Sequence, residues 1–423
     1  MITKEKFINK LFNKDVMSLD TYIMFRLKEK TEQLKPELIA KNRAPISLSM
    51  GAPTANPPKQ LIDKLKAILD EGNGIHAYSV PKGEPYFRKA CAERMKNRFG
   101  VELNPDTEIF SLIGSKEGIA NLIRFMITPK EELKEKDIIM VPDPCYASYL
   151  QFIQCSGGYA FPVPLTEENH YMPDMEQVWQ NLLNQGFNPD KVKALMINYP
   201  NNPLGASATR EYVQKVIDFC KKHEILLISD AAYCDLYFAD DEKPFSIFEL
   251  EGAKDIGIEF YSLSKPYAIT GWRLGWVCGN SDVIQRFGKG KSTIDNGIFK
   301  ALQKACAEYI NTEDAEKYIE KGNLDYKRKQ AIMVKGFKEL GWPIDEKTVP
   351  HTTFYLWLPI PKRYSSAFDF CADVLEKSGV VLVPGNAFGN HGEGYFRLSY
   401  VASDEQLQEV IDRFKADGFY FNK

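Results

Sequence analysis

The sequence lacks the features that mark several large classes of protein. Basic residues are not in excess, because 54 lysines and arginines stand against 57 aspartates and glutamates, a formal net charge of -3. Such a balance gives no indication of nucleic acid or an anionic membrane as a partner. No apolar run approaches the roughly 20 residues that a membrane span needs, and the N-terminus lacks the apolar core of a signal peptide. We therefore expect a cytoplasmic protein.

Cysteine and histidine are few and scattered. The eight cysteines form no Cys-x-x-Cys pair, and the five histidines are isolated, without the spacing of metal ligands. We expect reduced, mostly buried thiols and no metal site. A Gly-x-Gly-x-x-Gly pattern is missing after the early apolar runs, which argues against a nicotinamide-dependent dehydrogenase.

What the sequence does have, from about residue 104 to residue 280, is an alternation of short apolar runs with amphipathic segments. The first four predicted strands are Ile109–Ile113, Ile138–Val141, Ala194–Ile197 and Ile225–Ile228. Between the last two strands, Thr209 is predicted to cap a helix. Strands that are buried on both faces and separated by helices predict an α/β fold with a mostly parallel sheet.

The two ends of the chain have different patterns. The N-terminal 40 or so residues are charged and are predicted to be mostly helical. Near the other end, Phe354–Leu358 and Tyr395–Tyr400 are predicted strands of a smaller α+β domain, and Ser403–Gln406 is a capping-box pattern that opens a final helix. A chain of 423 residues suggests more than one domain. We predict an N-terminal arm that joins the small domain (1–60), a large domain (61–304) and a small C-terminal domain (305–423).

Polar or unusual residues follow each predicted strand of the large sheet. These segments are Gly114–Glu117, Asp143–Tyr146, Asn198–Pro203, Asp230–Tyr233 and, after the apolar stretch Ile258–Leu263, Ser264 with Lys265. In sheets of this kind, ligands bind outside the carboxyl ends of the strands. We therefore expect the five segments to form one shared site.

Lys265 gives the most specific chemical signal. It ends an apolar stretch and Arg273 follows eight residues later, and both features favour a neutral amine that can form a Schiff base. The hydroxyls of Ser262 and Ser264 and the guanidinium of Arg273 are donors of the kind that a phosphate needs. An amine for an aldehyde and donors for a phosphate are what pyridoxal 5'-phosphate (PLP) requires.

Residues after the other strands fit the ring of PLP, although each also has a plain structural interpretation. Asp230 ends an apolar strand, where a carboxylate either keeps a pyridine nitrogen protonated or simply caps a helix. Tyr233 and Asn202 are placed to hydrogen-bond the phenolic oxygen of the ring. Tyr146 is predicted to stack on the ring, although aromatic residues more often belong to the core.

Two further groups suit anions. Gly114, Ser115 and Lys116 precede an apolar helix, whose first N–H groups attract a phosphate, although a plain strand-to-helix turn would look the same. Arg397 lies inside an apolar strand, where a buried guanidinium pairs with a substrate carboxylate or with an ordinary acidic partner.

Taken together, the motifs resemble those of the PLP-dependent class I/II aminotransferases, which have fold type I and form the aspartate aminotransferase superfamily. The motifs are Tyr199–Gly205 (Tyr-Pro-Asn-Asn-Pro-Leu-Gly), Asp230-x-x-Tyr233, Ser262-x-Ser264-Lys265 and Gly271-Trp272-Arg273-x-Gly275, in the order of the family. The resemblance covers the chain from about Ser47 onward. It implies a large α/β domain, a smaller α+β domain and a transaminase.

The resemblance also implies a role for each matching residue. Lys265, Asp230 and Tyr233 resemble the catalytic residues. The implied cofactor-binding residues are Tyr78, Ser115, Lys116, Tyr146, Asn202, Asp230, Tyr233, Ser262, Lys265 and Arg273, and the implied substrate-binding residues are Gly51, Asn202 and Arg397. Tyr78 resembles a tyrosine that reaches the phosphate of the neighbouring subunit, which implies a homodimer with shared active sites.

Within this superfamily, the sequence is most similar to LL-diaminopimelate aminotransferases of lysine biosynthesis. The segments that indicate this are Gly114–Gly118, Asn202–Arg210, Ser246–Leu250 and Gly392–Arg397. Two positions depart from the family pattern. Ser79–Lys82 lacks the acidic residue that helps plant-type members to bind the distal ammonium, and Leu204 replaces the usual threonine of Asn-Pro-Thr-Gly.

The expected reaction moves an amino group from an L-amino acid to a 2-oxo acid, for which 2-oxoglutarate is the expected acceptor. Aspartate, alanine and aromatic amino acids remain open as donors, and so does β-elimination by a PLP-dependent C–S lyase. A PLP-fold transcription regulator is disfavoured, because the roughly 50 residues before the resemblance begins are short and not basic enough to bind DNA.

Overall fold

Twelve strands form three sheets in the computed structural model, which describes residues 4–19, 23–238, 243–345 and 349–422. The strands are β1 (Ile46–Ser47), β2 (Ile109–Leu112), β3 (Ile138–Asp143), β4 (Tyr159–Pro164), β5 (Val192–Ile197), β6 (Leu226–Asp230), β7 (Gly257–Ser262), β8 (Gly275–Gly279), β9 (Tyr355–Pro359), β10 (Val380–Val381), β11 (Val383–Pro384) and β12 (Tyr395–Ser399). All six strands predicted from the apolar runs are present, and their bounds differ from the predicted ones by at most two residues.

The large sheet has seven strands in the order β2-β8-β7-β6-β5-β3-β4. Strand β8 runs antiparallel to both β2 and β7, and the other pairings are parallel. The prediction of a mostly parallel sheet is therefore confirmed. Since β2, β3, β5, β6 and β7 run in one direction, the five segments that follow them meet at one edge of the sheet.

Helices cover the sheet and link its strands. They are α1 (Lys4–Leu11), α2 (Lys14–Met17), α3 (Ile23–Ala40), α4 (Lys59–Leu69), α5 (Asn73–His76), α6 (Pro85–Phe99), α7 (Ser115–Met126), α8 (Ser148–Cys155), α9 (Met175–Asn184), α10 (Arg210–Lys222), α11 (Ala253–Ile256), α12 (Ser281–Lys291), α13 (Lys300–Ala307), α14 (Glu313–Glu339), α15 (Ala367–Ser378) and α16 (Asp404–Ala416). Thr209 caps α10 and Ser403 caps α16 through a capping box, as predicted. No helix in the described ranges has the length and apolarity to span a bilayer.

Alternate residues of the central strands enter two separate cores. On β5, Leu195 and Ile197 pack into one apolar cluster, whereas Ala194 and Met196 pack into another. The sheet is thus buried on both faces, as its apolar strands require. The eight cysteines are all free thiols and only Cys155 is exposed, so the prediction of mostly buried, unpaired cysteines is confirmed.

The N-terminal segment and the C-terminal part share a third core. Strand β1 pairs in parallel with β10, and β9, β12 and β11 form an antiparallel sheet. Ile46 and Leu48 pack in the same apolar cluster as Phe354, Leu398 and other residues of that sheet. This arrangement brings residues 48–51 and strand β12 to the edge of the large sheet where the predicted site residues lie.

Candidate active site

A cavity of about 490 Å³ lies where the carboxyl ends of the large sheet face strands β9 and β12. Among the predicted site residues, its lining includes Gly51, Ser115, Lys116, Tyr146, Asn202, Asp230, Tyr233, Ser262, Lys265, Arg273 and Arg397. The structure therefore brings every predicted site residue except Tyr78 into one place. Residues from five strand ends, the N-terminal segment and the small sheet meet there, although they are far apart in the sequence.

Lys265 follows β7 and points its amine across the cavity. Its Nζ donates a hydrogen bond to the backbone oxygen of Gly51. Burial, together with the guanidinium groups of Arg397 and Arg273, lowers the pKa of Lys265 from 10.5 to about 8, and the nearby carboxyl of Asp230 opposes this shift. About a tenth of this amine is therefore neutral at pH 7, far more than for a lysine with the reference pKa, and the neutral form is the nucleophilic one.

Asp230 ends β6, where its carboxyl group is buried. The hydroxyl of Tyr149 donates to Oδ2 at 2.5 Å, and the N–H of Ala232 donates to Oδ1 at 3.1 Å. Burial raises the pKa of Asp230, whereas these two donors and Lys265 lower it. Asn198 holds the backbone in place by donating to the Asp230 oxygen at 2.7 Å. The carboxyl is thus fixed by neutral donors and would gain from a cationic partner.

Arg273 lies near the start of α7, at the end of the cavity with the predicted anion site. Its Nη1 donates to the oxygen of Thr270 at 2.9 Å and to the hydroxyl of Ser264 at 3.3 Å. Gly114 has a φ of +80°, and a Cβ atom there would overlap the Arg273 guanidinium. The glycine before the helix is therefore required both by its backbone conformation and by the space that Arg273 occupies. Ser262 stabilises the loop by accepting from the N–H of Ser264 at 3.2 Å.

Arg397 belongs to a closed set of contacts that joins the two sheets. Its Nη1 donates to Asn202 Oδ1 at 2.7 Å, and its Nη2 donates to the oxygen of Ser49 at 2.8 Å. Asn202 Nδ2 lies 3.4 Å from the hydroxyl of Tyr233, which lies 2.8 Å from the hydroxyl of Tyr355. The Tyr355 ring closes the set, 4.3 Å from the guanidinium carbon.

Two features of this set suit a carboxylate ligand. Arg397 is buried, and its Nε has no hydrogen-bond partner among the described residues. Its guanidinium also lies 4.7 Å from the Phe388 ring, which shields it from water on that side. A buried cation that retains an unsatisfied donor is suited to a ligand carboxylate rather than to a permanent partner.

Tyr146 and Lys116 form the remaining wall. The Lys116 ammonium lies 5.8 Å from the centre of the Tyr146 ring, and the Tyr149 ring meets Tyr146 edge-on at 5.5 Å. The face of Tyr146 is thus held at a fixed angle by a neighbouring ring, an arrangement that suits a stacking platform.

Sequence reasoning missed several residues that line the cavity or hold its groups. They are Ser49, Tyr149, Asn198, Thr270, Tyr355 and Phe388. Asn198 stands in a predicted strand-end segment, so its position was available as a signal. Tyr149 and Tyr355 gave no such signal, because one lies in a helix and the other in an apolar strand, where an aromatic residue usually indicates core.

Tyr78 lies outside the cavity. Its side chain is 84% exposed, which is unusual for a large ring. Val80, Ile294 and Phe299 are also exposed, and the segments that carry them are in contact, since the His76 and Phe299 rings lie 6.2 Å apart. The role predicted for Tyr78 needs a second subunit, so it stays a prediction.

Comparison with known proteins gives the family. Residues 43–414 match the family of class I and II aminotransferases. An LL-diaminopimelate aminotransferase of Halothermothrix orenii is 41% identical over 89% of this chain and 92% of its own length. Apo-BacF from Bacillus subtilis, a solved structure, is 31% identical with a TM-score of 0.87 over 98% of this chain and 100% of its own. An aromatic aminotransferase from Pyrococcus horikoshii OT3 is 29% identical with a TM-score of 0.80, over 92% and 98% of the two chains. The chain belongs to the class I and II aminotransferases.

Proposed function

We propose that the cavity holds PLP and catalyses transamination between an L-amino acid and a 2-oxo acid. The observation that carries this proposal is the meeting of three groups in one cavity: the Lys265 amine with its lowered pKa, the buried Asp230 carboxyl and the Arg397 guanidinium with its unsatisfied Nε. An amine, an acid and a carboxylate-binding cation are the minimum that amino-group transfer through an aldehyde cofactor needs.

The residues in the cavity fit PLP at both ends. Arg273, Ser262, Ser264 and the start of α7 supply cationic and neutral donors for the phosphate. At the other end, Asp230 has only neutral hydrogen-bond donors and a raised pKa, so a protonated pyridine nitrogen would relieve the cost of its burial. When bound, the cofactor supplies an electron sink for the carbanion formed at the substrate Cα.

Lys265 carries the proton steps in this proposal. Its neutral Nζ would hold the cofactor through the aldehyde and, when free, would act as the base that accepts the proton of the substrate Cα and later returns one. The lowered pKa keeps this nitrogen able to accept a proton near neutral pH. Asp230 would pair with the ring nitrogen, and Tyr233 and Asn202 would donate hydrogen bonds to the ring oxygen.

Arg397 orients the substrate. The α-carboxylate would pair with the Arg397 guanidinium where it lines the cavity, while the contact with Asn202 fixes the guanidinium plane. Gly51 lies opposite, where a Cβ atom would approach the Tyr355 hydroxyl to 2.7 Å. The substrate would thus lie between Arg397 of the small sheet and the 49–51 segment, both of which line the cavity.

As the amino donor we propose LL-diaminopimelate, with 2-oxoglutarate as acceptor. Eight curated relatives named LL-diaminopimelate aminotransferase are 37–41% identical over 89–97% of this chain. The absence of an acidic residue in Ser79–Lys82 means that other groups bind the distal ammonium of this donor.

The test is a donor screen on the purified, PLP-loaded protein. Each amino acid is supplied alone with 2-oxoglutarate, and the glutamate formed is measured, with Lys265→Ala as the inactive control. Preference for LL-diaminopimelate supports the proposal. Preference for aspartate, alanine or an aromatic donor overturns the substrate, and ammonia released from cysteine or cystathionine without an oxo acid would indicate a lyase.

We further propose a homodimer with shared sites, in which Tyr78 reaches the phosphate of the partner subunit. The exposure of Tyr78, Val80, Ile294 and Phe299 supports a contact surface there, because rings and aliphatic side chains seldom stay this exposed together. We also keep the proposed division into an arm (1–60), a large domain (61–304) and a small domain (305–423). The packing of Ile46 and Leu48 in one apolar cluster with Phe354 and Leu398 supports the part of it that joins the arm to the small domain.

A further inference from the structure

Lys291 is a buried cation for which the proposed chemistry has no use. It is the last residue of α12 and its side chain is 1% exposed. The ammonium contacts two carboxylates, Glu117 at 3.2 Å and Asp295. A buried ammonium is costly unless its partners are held in place. The other hydrogen bonds of the Glu117 and Asp295 carboxylates therefore indicate what this ion-pair cluster does.

Glu117 holds the backbone that leads into the anion site. It stands in the first turn of α7, and its Oε2 accepts the N–H of Ile113 at 3.1 Å. Ile113 directly precedes Gly114 and Ser115, and its oxygen lies 3.5 Å from Arg273 Nη2. The carboxylate paired with Lys291 thus fixes the strand-to-helix turn that presents the phosphate donors.

Asp295 fixes Lys291 from the other side. Its Oδ1 accepts the N–H of Gly297 at 2.9 Å, which closes a tight turn after α12. Gly297 has a φ of +87° and lies so close to the Val80 oxygen that no side chain would fit. The turn is therefore held against the segment that carries Tyr78, and the ammonium has little freedom to move away from Glu117.

We propose that Lys291 is a positioning residue for the cofactor phosphate, acting through Glu117 and the backbone of Ile113. This inference rests on the proposed function, because it requires PLP in the cavity. Loss of the ammonium would leave the Glu117 carboxylate with the neutral amide of Asn121 as its remaining side-chain partner, so that it turns toward solvent and releases the Ile113 N–H. The donors of the phosphate loop would then be displaced, while the groups around Lys265 and Asp230 would keep their positions.

The test compares two ligands that differ only in the phosphate. Cofactor-free wild type and Lys291→Met are titrated with PLP and with pyridoxal, and binding is followed by protein fluorescence. We expect the substitution to weaken PLP binding by about tenfold to hundredfold and pyridoxal binding by less than about twofold. Lys289→Met is the matched control, because Lys289 is exposed on the same helix and we expect it to bind both ligands like wild type.

The ratio of the two affinities decides the outcome. Equal losses for both ligands, or no loss for PLP, would overturn the inference, since a residue that only stabilises the fold does not distinguish the phosphate. Wild type that binds neither ligand would instead overturn the proposed function.

If Lys291→Met does not fold, Glu117→Gln provides a second test, because glutamine keeps the shape of the Glu117 side chain but loses its charge. We expect it to lose PLP affinity selectively, and adding Lys291→Met to a folded Glu117→Gln variant to cause little further loss.

Discussion

At Lys265, burial disfavours the charged form of the side-chain amine. Its folded pKa of about 8 lies below the reference value of 10.5, so the unfolded chain binds more protons between these two pH values. In cofactor-free protein this group therefore opposes folding fully below pH 8, by at most about 3 kcal/mol, and progressively less as the pH rises to 10.5.

From this we predict a pH-dependent effect of Lys265→Met on the cofactor-free protein. The variant is expected to be more stable than wild type at pH 7, and the difference in unfolding free energy is expected to shrink at pH 9.5. Urea unfolding at both pH values measures it. The exposed Lys289→Met change is the control, and its difference from wild type is expected to be constant. A Lys265→Met difference that does not vary with pH would contradict the lowered pKa.

Tyr149, which the sequence did not identify as a site residue, contacts the carboxyl of Asp230 and allows a second test. Its hydroxyl donates to the carboxyl, so Tyr149→Phe is expected to raise the pKa of Asp230 further, and a carboxyl that is more often neutral would stabilise a protonated ring nitrogen less. We expect kcat/KM to fall about tenfold. Tyr364→Phe is a matched control, because Tyr364 donates to Asp373 at 2.6 Å in the C-terminal part. Equal activity of the two variants would show that Tyr149 only packs.

At the scale of elements, the turn from β2 into α7 combines a strained backbone with a close contact. Gly114 has φ +80° and ψ +153°, a conformation essentially confined to glycine, so Gly114→Ala is expected to cost about 1 to 3 kcal/mol of stability and, in addition, to displace Arg273. Gly100→Ala separates the two effects, since Gly100 has a φ of +68° at the end of α6 and a Cβ atom there would have no neighbour within 4 Å. We expect Gly114→Ala to lose more stability than Gly100→Ala, measured by urea unfolding, and only Gly114→Ala to lose PLP affinity. Unchanged PLP affinity in Gly114→Ala would contradict this account of the anion site.

The same elements explain how much of the molecule the sequence could predict. Lys265 and Asp230 were predictable because parallel strands bring their carboxyl ends to one edge, so sequence order alone indicates a shared site. Strand β8 was not predicted, because Gly275–Gly279 is short and bounded by glycines, and its antiparallel pairing depends on neighbours distant in the chain. Tyr355 was missed for a related reason, since its hydroxyl partner is set by the packing of one sheet against the other.

For the whole molecule, the site depends on parts that are distant in the sequence. Arg397 comes from the small sheet, Ser49 from the N-terminal segment and Asn202 from a turn of the large sheet, and hydrogen bonds join all three. A substrate carboxylate bound at Arg397 would therefore affect the hydrogen bonds of Asn202 and, through Asn202, those of Tyr233. If Tyr78 reaches the phosphate of a partner subunit, as proposed, this dependence extends across two subunits.

Shared sites can be tested with heterodimers purified through two different tags. One subunit carries Lys265→Ala and the other Tyr78→Ala, and each homodimer is expected to be weak or inactive. If Tyr78 serves the partner's site, the heterodimer contains one site with both residues intact, and about half of the wild-type activity is expected to return. A heterodimer of Lys265→Ala with Arg273→Ala is the matched control. Both of these residues line the cavity of the same chain, so no intact site forms and activity is expected to stay low. Equal activity of the two heterodimers would contradict a shared site.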